Sequence, residues 1–293
     1  MANSAYVAAQ DQFRQGVHLL ASQETSVVLG KFRTIPVNAE RVFIDRLGDA
    51  PSSTLVTQRF QPNNKGNIDH TKVMLTSREH ELTVDIERSE LLSSAVDFTS
   101  PYVKRVASAF GRDYDVEALT ALVGTTYSGR DGLSTEALDS THKVAYNADS
   151  VNLMSMKKLE IAIRQLKDKH VNGTNLICFI SPLGMMHLMQ GTDTRTLSRD
   201  YNTNSYSNTG SYPTILGVQM IESTYIPDIT AGTEFRAILC TKDALTVGER
   251  QSMFTRIDED MFHGHNTQIA TYWDFGFVRP ETSLVQEIAF RAS

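Results

Sequence analysis

The longest regular pattern of apolar residues lies between residues 100 and 123. Its apolar positions recur at spacings of three and four, the repeat of a helix with one buried face. They are Val103, Val106, Ala107, Phe110, Tyr114, Ala118, Ala121 and Leu122. Ser100 can cap the start, and Pro101 suits the first helical position. The pattern therefore predicts a helix over Ser100–Leu122 that ends at Gly124, roughly 35 Å long at 1.5 Å per residue.

Residues 52–86 have the alternation that is typical of strands. The runs 54–60 and 71–76 predict two strands, and the turn-forming residues 61–69 between them predict a hairpin with a polar tip. Leu82–Ile86 alternates apolar and polar residues and predicts a half-buried strand. Because an isolated two-stranded ribbon is marginally stable in water, the hairpin requires a partner surface in this chain or in another.

The second half of the chain mixes helices and strands. Asp149 or Ser150 can cap a second helix, whose buried stripe is Met156, Leu159, Ile163 and Leu166. Leu176–Ile180 predicts a short strand that is buried on both faces, and a third helix begins at Ser181 and Pro182.

Further strands are predicted at 215–222, 235–240, 268–278 and 284–290. The polar stretch 191–212 is unusually long for a loop within a compact domain, so we expect it to be functional or to contact another chain. The order of a β ribbon, a long helix, a helix–strand–helix unit and several strands predicts the fold class α+β.

Composition narrows the classes of function. The chain has 293 residues, is 41% hydrophobic, and carries 28 Lys and Arg against 34 Asp and Glu, a net charge of −6. A sizeable core can form, while the negative charge argues against gripping nucleic acid phosphates. Cys178 and Cys240 lie in apolar runs and are expected to be small buried hydrophobes. No apolar stretch approaches the roughly 20 residues of a membrane helix, and the first residues lack the basic segment and apolar stretch of a signal peptide. We therefore expect a soluble protein made in the cytoplasm.

The candidates for chemistry are weak. The glycine-rich loop 124–132 follows a helix and lacks the Lys-Ser/Thr of a phosphate-binding loop, so it is interpreted as a helix-terminating loop. His263 and His265, just after the acidic residues 258–260, could bind a metal, but a solvated turn between two strands is favoured.

Charged side chains elsewhere are expected on exposed faces. The carboxylate pairs Glu79/Glu81 and Asp113/Asp115 are interpreted as solubilising charge. The basic residues of the second helix are likewise assigned to a solvated face. They are Lys157, Lys158, Arg164, Lys167 and Lys169.

Five segments together carry a resemblance that covers nearly the whole chain. They are Ser100–Leu122, Asp115–Gly129, Cys178–Leu188, Ile215–Ser223 with the following Ile226-Pro227, and Lys242–Leu245. In this order and spacing they resemble the major capsid proteins of tailed bacteriophages, the Caudoviricetes, that have the Hong Kong 97 fold. The first segment is similar to the family's spine helix, and Cys178–Leu188 is similar to its strand–Ser-Pro–helix element.

The resemblance implies five parts. Residues 1–40 correspond to an N-terminal arm, and 41–90 to the extended β-hairpin loop with its flanking strands. Residues 91–145 correspond to a peripheral domain with the spine helix, 146–235 to an axial domain with a mixed sheet, and 236–293 to strands that return to both domains.

It also implies a structural function without catalysis. Such a protein forms hexamers and pentamers that close into an icosahedral head around double-stranded DNA, so we expect no catalytic, cofactor-binding or metal-binding residue. Its location would be the capsid of the virion, after synthesis in the host bacterial cytoplasm. Contacts between subunits are expected at Gln61, Pro62, Asn63, Asn64, Lys65, Gly66, Asn67, Tyr201, Asn202 and Tyr206.

The partners implied are further copies of the chain, a portal protein, a decoration or cement protein, and packaged double-stranded DNA without sequence-specific contact. No membrane is implied. Some relatives carry a long N-terminal scaffolding segment, and since this sequence begins its arm at Met1, a separate scaffolding protein is expected. Other relatives crosslink covalently through a hairpin lysine; Lys65 and Lys72 lie in that region, but we expect no crosslink.

Two alternatives stay open on the sequence. An encapsulin-type compartment shell uses the same fold and encloses enzymes in place of DNA. A metal-dependent hydrolase that uses His263 and His265 belongs to a different class.

Overall fold

The computed structural model describes residues 26–48, 50, 52–53, 55, 66–87, 99–169, 175–190, 214–260 and 266–292. These residues form three helices and three sheets, which confirms the class α+β. The helices are α1 (Thr99–Val123), α2 (Met156–Asp168) and α3 (Pro182–Gln190). The strands are β1 (Arg33–Pro36), β2 (Arg41–Leu47), β3 (His70–Thr76), β4 (Arg78–Ile86), β5 (Thr126–Ser128), β6 (Ser134–Glu136), β7 (Lys143–Val144), β8 (Leu176–Ile180), β9 (Thr214–Ile215), β10 (Val218–Glu222), β11 (Glu234–Thr241), β12 (Thr246–Asp260), β13 (Asn266–Val278) and β14 (Val285–Arg291).

A six-stranded sheet forms the centre of the structure, in the order β7-β14-β11-β8-β10-β9. All five residues of β8 are buried, as the continuous apolar run predicts. On one face, Cys178 and Ile180 pack with α2 and α3, while Ile177 and Phe179 on the other face belong to a second core. The sheet is therefore covered on both sides.

The second core joins the central sheet to α1 and to a four-stranded sheet, here called the ribbon sheet, with the order β1-β12-β13-β4. Tyr114 of α1 stacks on Trp273 of β13 with ring centroids 5.1 Å apart. Phe275 and Phe277 of β13 contact the same tyrosine ring at centroid distances of 5.2 Å and 4.8 Å. The predicted long helix is thus confirmed, and its apolar stripe lies against β13.

The two cysteines are fully buried in the central sheet. Burial raises the pKa of Cys178 to about 12 and raises the pKa of Cys240 well above its usual value. Both thiols therefore act as the small buried hydrophobes that the sequence predicts.

The predicted hairpin has a different first strand. β3 pairs antiparallel with β2, from Arg41 opposite Thr76 to Leu47 opposite His70, so its hairpin partner is 41–47 and not the predicted run 54–60. Of that run, only Leu55 belongs to the described residues. Packing explains the choice, because Val42 and Ile44 of β2 contact a small core around Val73 and Leu75.

The third sheet, which contains this hairpin, has the order β2-β3-β5-β6. Of the predicted tip, residues 61–65 lie outside the described residues. The glycine-rich loop 124–132 contributes β5 and the turn that leads to β6, so it does more than terminate the helix.

The predicted strand 215–222 is two strands, β9 and β10, joined by Leu216 and Gly217. Both turn residues have positive φ, 52° and 79°. This is the backbone of a two-residue hairpin turn, whose twist matches the twist of the strands it joins. The glycine accounts for one of the two positions, and the leucine in the other gave no sequence signal.

Lys158 is completely buried, so its assignment to a solvated face was wrong. Its ammonium lies 3.6 Å from Asp149 and donates to the carbonyl of Leu153 at 2.7 Å. Burial lowers the pKa of Lys158, and Asp149 opposes that shift. The helix cap is Ser155, which accepts from the backbone N–H of Lys158, and not Asp149 or Ser150. Asp149 instead accepts a hydrogen bond from the Ser155 hydroxyl.

The segment before β2 packs on the globular part. Val28 and Phe32 lie in the core beside α1, and β1 pairs parallel with β12. The described part of the predicted arm, from residue 26 onward, therefore has its own place in the fold. The division of the chain into five parts stays a prediction.

We predict that Lys158→Met destabilises the chain by about 3–5 kcal/mol, because it leaves the buried Asp149 carboxylate without its cation. Urea unfolding of the unassembled protein measures this. Arg164→Met is the matched control, since it breaks an exposed helical pair with Asp168 of 3.7 Å and is expected to cost less than about 0.5 kcal/mol. Equal losses in the two variants would contradict the prediction.

Candidate assembly surfaces

The hairpin formed by β2 and β3 exposes apolar side chains beyond its paired root. Leu47 is 69% exposed, Leu55 is 83% exposed, and Ile68 is also exposed. Of the ten predicted contact residues, the structure describes Gly66 and Asn67, and both are exposed. Several large apolar side chains exposed on one hairpin indicate an interaction surface.

The root of the hairpin is held firmly. The Gly48 N–H donates to the carbonyl of Asp69 at 2.8 Å and continues the strand pairing past Leu47. The Arg46 guanidinium donates to Glu136 of β6 at 2.9 Å and to the carbonyl of Pro280 at 2.9 Å. Charge-assisted bonds of this kind are about twice as strong as neutral ones. The hairpin therefore projects from a fixed base.

The ribbon sheet has a second set of exposed apolar residues at its far end. β1 pairs with β12 only from Thr246 to Glu249, so the rest of β12 is an open edge among the described residues. Met253, Phe254 and Ile257 are exposed there. The pairing with β13 shifts register between residues 249 and 254, which bends and twists the ribbon.

The proposed metal ligands give no site in the part of the chain that is described. His263 and His265 lie outside the described residues, and 258–260 are the last positions of β12. Asp258 forms an ion pair with Arg256. Within the described ranges no group of three or more His, Cys, Asp or Glu side chains could hold a metal ion.

A groove of about 580 Å³ lies between α1, β13 and the joint of β3 with β4. Val116 and Tyr127 line it and are half exposed. Glu117, also on its wall, lies 3.5 Å from His80; burial raises the pKa of Glu117, and His80 opposes that shift. At Gly276 a Cβ atom would lie 2.1 Å from the Thr76 carbonyl oxygen, so only glycine allows β13 to pass this close.

Asp115 ties the N-terminal segment to α1. Its carboxylate accepts hydrogen bonds from the backbone N–H groups of Val27 and Val28 at 3.0 and 3.1 Å, and from the Ser26 hydroxyl. Asp115 is fully buried, so its assignment to an exposed carboxylate pair was wrong, whereas Asp113 is exposed. The carboxylate fixes the point at which residues 1–25 join the described structure.

The arrangement is that of a globular body from which a hairpin and a long ribbon project, with apolar side chains exposed on both. Solved phage capsids have this fold. The Cyanophage Pam1 capsid matches with a TM-score of 0.74 and 11% identity, covering 95% of each chain. The capsid of Cyanophage P-SCSP1u matches with a TM-score of 0.73 and 13% identity, covering 95% of this chain and 92% of that one. The capsid of Helicobacter pylori bacteriophage KHP30 matches with a TM-score of 0.73 and 9% identity, covering 97% of each chain.

The amino-acid sequence matches a known protein family over nearly its whole length. The sequence profile of the phage capsid protein family matches residues 5–289. The chain belongs to the phage capsid protein family. No curated protein sequence matches this chain. The predicted resemblance and the Hong Kong 97-type fold are confirmed, and the protein is a structural component of the phage capsid.

We predict that Asp115→Asn lowers the free energy of unfolding by about 3 kcal/mol. The amide replaces one acceptor oxygen by an NH₂ group, which faces a backbone N–H, and it removes the negative charge that strengthens both hydrogen bonds. Urea unfolding and hydrogen exchange of the Val27 and Val28 amides measure the effect. Asp113→Asn, two residues away and exposed, is the matched control and is expected to change stability by less than about 0.5 kcal/mol. Unchanged protection of both amides in Asp115→Asn would rule out the anchoring role.

Proposed function

We propose that the protein is a major capsid protein that assembles into hexamers and pentamers, which close into an icosahedral head around double-stranded DNA. The observation that carries the proposal is the match of the capsid family over residues 5–289. The function is structural, and the chain performs no catalysis. The virion capsid is its final location, after synthesis in the host bacterial cytoplasm.

Exposed apolar groups support a role for the hairpin in assembly. Leu47, Leu55 and Ile68 are exposed in the single chain, and burying an apolar side chain of this size is worth about 1.5–3 kcal/mol. In the proposed shell the hairpin lies over a neighbouring subunit and covers them. The part of the arm before residue 26 lies under another neighbour, since residues 26–36 pack on their own subunit. The loop 191–212 lies near the centre of the capsomer.

The proposed partners are those that a capsid requires in order to assemble and to take up DNA. They are a separate scaffolding protein, a portal protein, a decoration or cement protein, and double-stranded DNA that is held without sequence-specific contact. The net charge of −6 supports weak rather than tight contact with DNA, since each phosphate contact requires a cation. In the described part of the chain no helix is long and apolar enough to cross a membrane.

We predict that the purified chain forms capsomers or irregular assemblies when expressed alone, and uniform closed shells when its scaffolding protein is present. Light scattering and electron microscopy measure particle size and uniformity. A stable monomer under both conditions would contradict the proposed function, and uniform shells from the chain alone would contradict the need for scaffolding. Enclosed protein in place of DNA in native particles would instead indicate an encapsulin-type compartment.

We predict that deletion of residues 61–69 deranges or abolishes shells and leaves the globular core folded. The deletion spares all of β2 and β3, so circular dichroism and urea unfolding should match those of the unaltered chain. Replacement of the same residues by an equal length of Gly and Ser is the control that separates hairpin length from its side chains. Heads of normal size and shape from the deletion variant would refute the role of the tip.

A further inference from the structure

A small cleft with basic walls lies at the root of the hairpin, where β3 meets the turn between β5 and β6. Its volume is about 360 Å³. We call it the basic cleft. Arg46, His70, Lys72 and Arg130 line it, together with Gly129 and the hydroxyl side chains of one threonine and two serines. None of the residues that line it is acidic, and the serine and threonine hydroxyl groups add hydrogen-bond donors.

The charges of the cleft are only partly balanced within the chain. Glu136 neutralises Arg46 at 2.9 Å. Asp45 lies 3.4 Å from the Lys72 ammonium, but both side chains are about half exposed or more, so this pair is weak. Arg130 has no ion pair in the described structure. Unbalanced positive charge therefore remains on the cleft walls.

The turn that carries Arg130 is fixed in position. Gly129 and Gly132 both have positive φ, 94° and 68°. The Gly129 N–H donates to the carbonyl of Lys72 at 2.9 Å. This hydrogen bond joins the turn to β3. The backbone that carries Arg130 is therefore held next to Lys72 before any partner binds.

The size of the cleft selects its ligand. A volume of 360 Å³ is at the low end of the range for binding pockets, about 300–1,000 Å³. It suits individual carboxylate side chains. A DNA duplex carries one charge per roughly 1.7 Å along its axis and is bound by extended rows of cations, which this cleft does not provide.

A matching set of carboxylates lies on another part of the same chain. Glu79, Glu81 and Asp85 occupy alternate positions of β4, so they share one face of the ribbon sheet. All three are exposed, and none forms an ion pair among the described residues. We call this set the acidic face. Tyr272 of β13 lies opposite Glu81, and the Glu81 carboxylate raises the pKa of Tyr272.

We propose that the basic cleft of one subunit binds the acidic face of a second copy of this chain. The two surfaces belong to different sheets, and no described ion pair joins them within one chain. A contact between two different surfaces of identical subunits is heterologous and can close into a ring. The proposal rests on the proposed function and names the residues that join neighbouring subunits.

Charge reversal with compensation tests this contact. The double variant Lys72→Glu, Arg130→Glu is expected to reduce shell formation about tenfold or more, because each reversed charge repels the acidic face. Adding Glu79→Lys and Glu81→Lys to it should restore shells, since the charges are then exchanged. The matched control is Lys157→Glu, Lys242→Glu, which makes the same change in net charge at exposed sites outside the cleft. Assembly with scaffolding is followed by light scattering and electron microscopy, and folding by circular dichroism.

Each result decides the question. The contact is supported if the cleft variant loses shell formation, the control forms normal shells, and the added Glu79→Lys and Glu81→Lys changes restore shells. Normal shells in the cleft variant, equal loss in the control, or failure of the exchange to restore shells overturn it. If the cleft variant forms normal empty shells that fail to package DNA, the proposal is also overturned. That result would indicate that the cleft binds DNA phosphate. Absence of assembly by the unaltered chain would instead reject the proposed function, and this inference with it.

Discussion

Tyr114 of α1 stacks almost parallel to Trp273 of β13, and the rest of the architecture depends on the core around this contact. The ring planes differ by 9°, and Phe275 and Phe277 pack on the same tyrosine. The same core contains Phe179 from the central sheet and Phe32 from the N-terminal segment. Four parts of the chain that are distant in sequence are thereby held in one body, from which the hairpin and the ribbon project.

Elements whose own residues determine them could be predicted from the sequence. α1 has a complete apolar stripe, a capping start and a glycine at its end, so its bounds differ from the prediction by one residue at each end. β8 and β13 follow in the same way from a continuous apolar run and from strict alternation. The β2–β3 pairing could not be found like this, because strand pairing depends on which segment packs against Val73 and Leu75. Of the ten expected contact residues, eight lie outside the described residues, so those expectations remain predictions.

Buried polar groups escaped prediction for a related reason. Asp115 and Lys158 are hidden by partners 87 and 9 residues away, and periodicity along a helix carries no information about such partners. A signal did exist for Asp115, which lies next to Tyr114 within the apolar stripe of α1 and not on its polar face. A charged residue inside such a stripe must be paired or bonded, since leaving it buried alone is costly. Its hydrogen-bond donors are three consecutive residues of the N-terminal segment, and only the three-dimensional structure identifies them.

The distribution of strong and weak contacts follows from these observations. Within the chain, charges such as Lys158 and Asp149 are buried and paired, so disturbing one is costly. In the basic cleft and on the acidic face, Lys72, Arg130 and Glu81 are exposed, and an ion pair at such a site contributes about 0–1 kcal/mol. In the proposed ring, contacts of this strength are individually reversible, and a subunit bound in the wrong place can leave. Once a ring closes, each subunit is held by neighbours on two sides, and linked weak contacts together exceed the strength of any one of them. Strong contacts within the subunit and weak contacts between subunits therefore allow misplaced subunits to leave during assembly and give a stable ring afterwards.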